Sequence, residues 1–302
     1  MTNPRYGNQR DWVWRGWKVR YTYLRSPEIS TVAPPILLLH GFGSSLGQWR
    51  SNLVELSRHH SVYAIDLLGF GASQKAPERY TVKLWADLVR DFWQHFIGRP
   101  AAMIGHSLGA LVALTAVDRS PEIASHLALL TLPDARPSQG PAFARTLERL
   151  FASPLLLSPL FLFVRRPQFL RSVLQKIYLV AELVDDELVD LFANPPRDPG
   201  SLDVFCRLAR SRSDDDYSDR RIEQMLPALS IPVLLIWGDR DRIVPLSSFY
   251  KLMRIQSATE LPDRCQLVEI ENAGHCAYDE YPDRVNQVLL NWLQDTIFGV
   301  YV

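Results

Sequence analysis

Short, almost unbroken apolar runs closed by glycine or a turn recur along the chain. They are "PPILLLHGFG" at 34–43, "SVYAIDLLGFGAS" at 61–73, "AAMIGHS" at 101–107, "HLALLTLPD" at 126–134, "IPVLLIWGDRD" at 231–241 and "CQLVEIENAGH" at 265–275. Runs of this kind read as strands buried on both faces. Between them the apolar spacing changes to the helical period. In "YTVKLWADLVRDFWQHFI" it brings Leu84, Leu88, Phe92 and Phe96 to one side, and "LGALVALTAVDRSP", residues 246–253 and "DRVNQVLLNWLQDTI" behave alike. Ser51 to His60 also reads as a helix, and "DWVWRGWKVRYTYL" alternates about Arg15-Gly16 as a β-hairpin. Strands alternating with helices predict an α/β fold, a mostly parallel central sheet with helices on both faces.

One region breaks the alternation. Residues 134–226 carry apolar helical patterns, prolines and the acidic run "SDDDYSD", with no convincing buried strand. They read as a helical cap over a core made of residues 1–133 and 227–302.

Composition narrows the function classes. The 302 residues are 47% hydrophobic, enough for a substantial core, and Lys+Arg and Asp+Glu both total 33. Zero net charge and the lack of a long basic run argue against nucleic acid as partner. Cys206, Cys265 and Cys276 are too few and too scattered for a disulfide framework or a metal cage, which suits free thiols in a reducing compartment. The first residues lack the apolar stretch and cleavage site of a secretory signal, so the expected location is cytoplasmic. The greasy segment Leu150 to Val164 is interrupted by Pro154 and Pro159, and falls short of the ~20 residues a membrane-spanning helix needs.

Candidate chemistry sits where strands end. Gly105-His106-Ser107-Leu108-Gly109 lies at a strand-to-helix junction, where a G-x-S-x-G elbow exposes the serine hydroxyl above the sheet. A serine needs a base that is itself oriented by an acid. "AGHC" after the last strand supplies His275, and "WGDRDRIVP" after the preceding one supplies Asp241, with Asp239 and Asp134 as competing acids. The backbone N–H groups of Phe42 in "HGFG" and of Leu108 are placed to receive an oxyanion. His40 reads as a tie within its loop, Asp66 and Ser73 as groups fixing a turn, and Cys276 as packing. No cofactor and no metal are expected.

These motifs, together and in order, resemble the α/β-hydrolase fold over nearly the whole chain, with its cap inserted after the sixth strand. Within it, "PPILLLHGFG", "AIDLLGFGAS", "LTLPDARP" and "AGHCAYDEYPDRVNQVLLNWL" resemble the pheophytinase and chlorophyll dephytylase-like hydrolases of plants and cyanobacteria. The resemblance implies that Ser107, His275 and Asp241 act as nucleophile, base and acid on the phytyl ester of a chlorophyll-type pigment. It also implies a cyanobacterial source and a place on thylakoid or other internal membranes. The chain departs from that group at His106, Ala110 and Ala277-Tyr278, where the group tends to carry Asn, Gly and Pro-His.

The cap adds a physical argument. Its leucines and phenylalanines would accommodate a long apolar chain, each buried methylene contributing about 0.8 kcal/mol. His106, Leu155 and Phe161 are the expected substrate contacts. Arg165 and Arg166 beside that apolar surface would favour peripheral contact with an anionic membrane. The expected partner is therefore a small hydrophobic ester, with oligomeric state left open. Other readings are a general carboxylesterase or lipase, a C–C bond hydrolase using the same triad, and a non-catalytic ligand receptor. Epoxide hydrolase or dehalogenase chemistry, which uses an aspartate nucleophile in this fold, is disfavoured by Ser107.

Overall fold

The computed structural model describes residues 4–27, 33–134, 154–212, 218 and 220–298. The hairpin forms as expected. Strands β1 (Asn8–Trp14) and β2 (Trp17–Leu24) pair antiparallel across Arg15 and Gly16, whose φ angles of 49° and 87° give the left-handed two-residue turn that matches strand twist.

The apolar runs then become β3 (Ile36–Leu39), β4 (Val62–Ile65), β5 (Ala101–His106), β6 (Ala124–Leu130), β7 (Val233–Gly238) and β8 (Cys265–Ile270). Among the described residues they make one eight-stranded sheet in the order β1-β2-β4-β3-β5-β6-β7-β8, parallel from β4 onward.

Alternate residues serve opposite faces, as a period of two requires. Leu37, Leu39 and Met103 enter one core with Trp85, Leu88 and Phe92, whereas Ile36, Leu38 and Ile104 enter the other with Val285, Leu289 and Leu293. Both faces are therefore dry at the middle of the sheet, which is why β3, β5 and β7 read as continuous apolar runs.

The first helices are α1 (Leu53–Ser57), α2 (Val82–Phe96) and α3 (Leu108–Arg119). In α2 the Thr81 hydroxyl accepts the Leu84 N–H at 3.2 Å, and Gly98 just beyond its end has a φ of 66°. Helix α1 is much shorter than the expected 51–60. Asn52 makes no side-chain cap bond, and the His60 ring is drawn instead to the Pro34 carbonyl at 2.8 Å.

Between β6 and β7 the described residues form α4 (Pro154–Val164), α5 (Pro167–Ile177), α6 (Asp186–Ala193) and α7 (Ser201–Arg212), over the end of the sheet where the site lies. Helix α8 (Ile222–Ala228) spans the expected cap boundary at 226, and its Ile222, Met225 and Leu226 pack into the core with residues of α3. Helices α9 (Leu246–Met253), α10 (Ala277–Glu280) and α11 (Pro282–Phe298) complete the fold. Among the described residues no helix is long and apolar enough to cross a membrane.

Candidate active site

Ser107 stands between β5 and α3 with φ 52° and ψ −118°, a left-handed conformation that costs a non-glycine residue roughly 1–3 kcal/mol. Flanking glycines make the bend sterically feasible. A Cβ on Gly105 would press on the Gly109 carbonyl, and one on Gly109 would press on the carbonyls of Leu39 and His40. Strand, helix and the loop after β3 thus meet closely enough to hold the Ser107 backbone, while its side chain remains partly exposed.

His275 and Asp241 arrive on the loops after β8 and β7. The His275 Nδ1–H donates to Asp241 Oδ2 at 2.9 Å, and Asp241 Oδ1 accepts the N–H groups of Ile243 and Val244 at 2.8 and 2.9 Å. The competing acids stand elsewhere. Asp239 is exposed and accepts the Ala273 N–H at 3.2 Å, and Asp134 is exposed after β6. With Nδ1 carrying its proton toward Asp241, His275 Nε2 is left as the basic atom. Among the described residues no hydrogen bond joins Ser107 to His275; in unliganded sites this contact is often long and tightens on substrate binding.

The loop after β3 is braced by polar contacts. The Gly41 N–H donates to Gln48 Oε1 at 2.9 Å; the fully buried His40 donates from Nδ1 to the Gly41 carbonyl at 2.7 Å and accepts the Leu67 N–H on Nε2 at 2.9 Å. Burial lowers the His40 pKa to about 4, which suits a neutral brace between two loops. Phe42 follows, exposed, and Leu108 comes directly after Ser107 as the first residue of α3. The turn after β4 is closed by Asp66, which accepts the N–H groups of Leu46 and Ala72, and by the Ser73 hydroxyl, which donates to the Asp66 carbonyl.

An apolar cavity of about 300 Å³ opens beside Phe42 and Gly43 and runs beneath the cap, lined by Phe161, Phe169, Val173, Phe192 and Phe205 among others. Phe161 is one of its lining residues. Leu155 lies in α4, but its side chain falls outside the described residues. His106 is placed differently from the expectation. It is buried, and its Nε2–H donates to the His275 carbonyl at 2.9 Å. The reason is strand parity: Ser107 turns out at the elbow, and the residue before it turns in.

Sequence reasoning missed how the cap is tied to the His275 loop. The Arg50 guanidinium is bidentate to Asp279, at 3.1 Å from both Nε and Nη2, and its Nη1 reaches Asp185 at 2.8 Å. Tyr178 donates to Asp279 at 3.1 Å, and Glu280 accepts the N–H groups of Gly274 at 3.1 Å and Leu179 at 3.0 Å. The acidic pair in "AYDEYP" was the only local signal. Cys276 is buried and its thiol is pushed up to about 12 by desolvation, which favours the protonated thiol. Among the described residues no cluster of His, Cys, Asp or Glu could hold a metal ion.

The alpha/beta hydrolase fold family model matches residues 34–282. The chain is 26% identical to an uncharacterised hydrolase, YugF, of Bacillus subtilis (strain 168), over 92% of this chain and 95% of the relative. It is 28% identical to the 2-hydroxymuconate semialdehyde hydrolase of Pseudomonas sp. (strain CF600), over 86% and 87%. A crystal structure of a membrane phospholipase A, a bacterial virulence factor, superimposes with a TM-score of 0.74 at 26% identity, covering 97% of this chain and 87% of that one.

Proposed function

We propose, from the premise that this chain belongs to the alpha/beta hydrolase fold family, that it is a serine carboxylic-ester hydrolase acting on a hydrophobic ester. The observation that carries the reading is the His275–Asp241 hydrogen bond of 2.9 Å at the same sheet edge as the strained Ser107.

In the reaction, Ser107 Oγ attacks the ester carbonyl carbon while its proton passes to His275 Nε2. The carbonyl oxygen, now an anion, is received by the N–H groups of Phe42 and Leu108, each such donor contributing about 3 kcal/mol. The C–O bond to the alcohol breaks, and His275 returns the proton to the departing oxygen. Water then attacks the acyl-enzyme by the same route in reverse, releasing the acid and restoring the serine.

The cavity supports a long apolar chain as one half of the substrate. Its cations are Lys75, which is paired with Asp198 at 3.0 Å, and Arg165. A phytyl ester of pheophytin or chlorophyll is the substrate that the family resemblance implies; an acyl lipid ester is supported by the likeness to the membrane phospholipase A. Leu160, Leu162 and Phe163 of α4 are exposed beside Arg166, while Phe161 of the same helix lines the cavity, an arrangement suited to receiving such a substrate at a membrane surface.

Hydrolysis of a carbon–carbon bond is a second reading, favoured by the similarity to the semialdehyde hydrolase. The apolar lining tells against the polar substrate in that relative's name. Incubation with pheophytin, chlorophyll and a triglyceride in detergent decides among these. Release of phytol or fatty acid by the wild type, abolished in Ser107→Ala, is the expected result. Turnover that survives the substitution defeats the nucleophile assignment. Flotation with anionic liposomes is expected to carry the protein upward, and less so after Leu162→Ser with Phe163→Ser.

A further inference from the structure

His106 reaches three parts of the site. Its backbone is joined directly to Ser107. Its Nε2 lies 2.9 Å from the carbonyl oxygen of His275, and its ring lies edge-on to that of His275 with centroids 4.8 Å apart. On the other side, a Cβ built on Gly41 would fall 2.9 Å from His106 Nδ1, so the loop after β3 rests against the same imidazole. Tyr278 closes the pocket, with ring centroids 4.7 Å apart.

The tautomer follows from the partners. A carbonyl only accepts, so the proton is on Nε2 and Nδ1 carries the lone pair. Nδ1 is buried and has no hydrogen-bond partner. A leucine or phenylalanine would fill this space without burying an unpartnered Nδ1, so packing alone does not account for an imidazole here. The bond to His275 does. Desolvation, and then the neighbouring His275, hold the His106 pKa well below its ordinary value, keeping the donor on Nε2 and a second positive charge away from the base.

We propose that His106 is a positioning residue that sets the distance between nucleophile and base. Through one peptide bond it carries Ser107, and through one hydrogen bond it holds the backbone of His275. Asp241 orients the imidazole ring, whereas His106 fixes where that ring is anchored. The inference rests on the proposed roles of Ser107 and His275.

The test compares His106→Leu, which keeps bulk and removes the donor, with His106→Gln, whose Nε2 can donate from nearly the same place. Hydrolysis of a soluble short-chain chromogenic ester gives kcat and KM, and proton NMR follows the His275 Nδ1–H. The leucine variant is expected to lose roughly 10- to 100-fold in kcat at unchanged KM, with the Nδ1–H signal broadened. Glutamine is expected to recover most of both. An unchanged kcat in the leucine variant, equal losses in both variants, or a change in KM alone would each overturn the proposal. If His106→Leu does not fold, His106→Phe, which keeps a ring against Tyr278, takes its place with the same outcomes. A wild type inert toward every ester would count against the proposed function and leave the NMR signal as the test of positioning.

Discussion

At the sheet edge Asp241 accepts three hydrogen bonds, from Ile243, Val244 and His275, whereas Phe161 in the cap sits in its place by packing, 5.5 Å from the ring of Phe205. The two regions are built by opposite means. Directional bonds at the edge tolerate little exchange of residue type, because each buried partner left behind is unsatisfied. Apolar packing in the cap depends on volume and shape, so many sequences would serve. The chemistry is therefore written in particular residues and the choice of substrate in collective shape.

The sharpest way to break this comparison is to exchange carboxylates. Asp241→Asn is expected to lower kcat by about 10³- to 10⁴-fold, since the amide no longer favours the Nδ1–H tautomer of His275. Asp239→Asn and Asp134→Asn are expected to cost less than about tenfold. Steady-state kinetics on a short-chain ester would reveal the wrong acid if either exceeds Asp241→Asn.

The cap is not wholly apolar, and the exception sharpens the contrast. Arg50, buried with Asp279, joins the His275 loop to Asp185 at the start of α6. Arg50→Met strands the buried Asp279 carboxylate and is expected to cost about 3–5 kcal/mol, read as a fall in the urea midpoint. Adding Asp279→Asn should return part of that loss. A double variant as unstable as the sum of the two single ones would mean the pair is not coupled.

Acid should attack the sheet side first. Burial lowers the pKa of His126, packed on Trp292 beneath the sheet, to about 4, as it does for His40. The unfolded chain binds those protons near pH 6.5, so the stability these neutral rings contribute is complete above 6.5 and is lost as pH falls toward 4. Urea unfolding at pH 7.5 and 4.5 is expected to show the decline, and His126→Phe to flatten it. An equal decline in the variant would remove His126 as a cause.

The same division explains what could be read from the sequence. All eight strands were legible, the first two from the alternation of the hairpin and the other six from apolar runs such as "ILLL" and "VLLIWG", which burial on both faces leaves unbroken in the middle of the sheet. The candidate nucleophile, base and acid stood out because each lies just after a strand. The helix over 51–60 shrank to 53–57, since local periodicity does not register the pull of Pro34 on His60. Arg50 and Asp279 are 229 residues apart, and no local pattern announces such a pair. The inward turn of His106 depends on which way the elbow throws Ser107, which a string of letters does not show.

The smallest effect is expected where packing alone is changed. Phe161→Ala removes one aromatic ring from the cavity wall, and a substrate filling that space would lose roughly 1–2 kcal/mol of contact. The expected signature is about a tenfold drop in kcat/KM for a sixteen-carbon ester and less than a twofold change for a butyrate ester, whose chain need not reach the ring. Phe161→Leu, which retains most of the volume, should fall between the two. Equal losses on both esters would mean that Phe161 supports the sheet edge and not the chain-binding wall, and the division between directional chemistry and collective shape would then fail at the helix where the two regions meet.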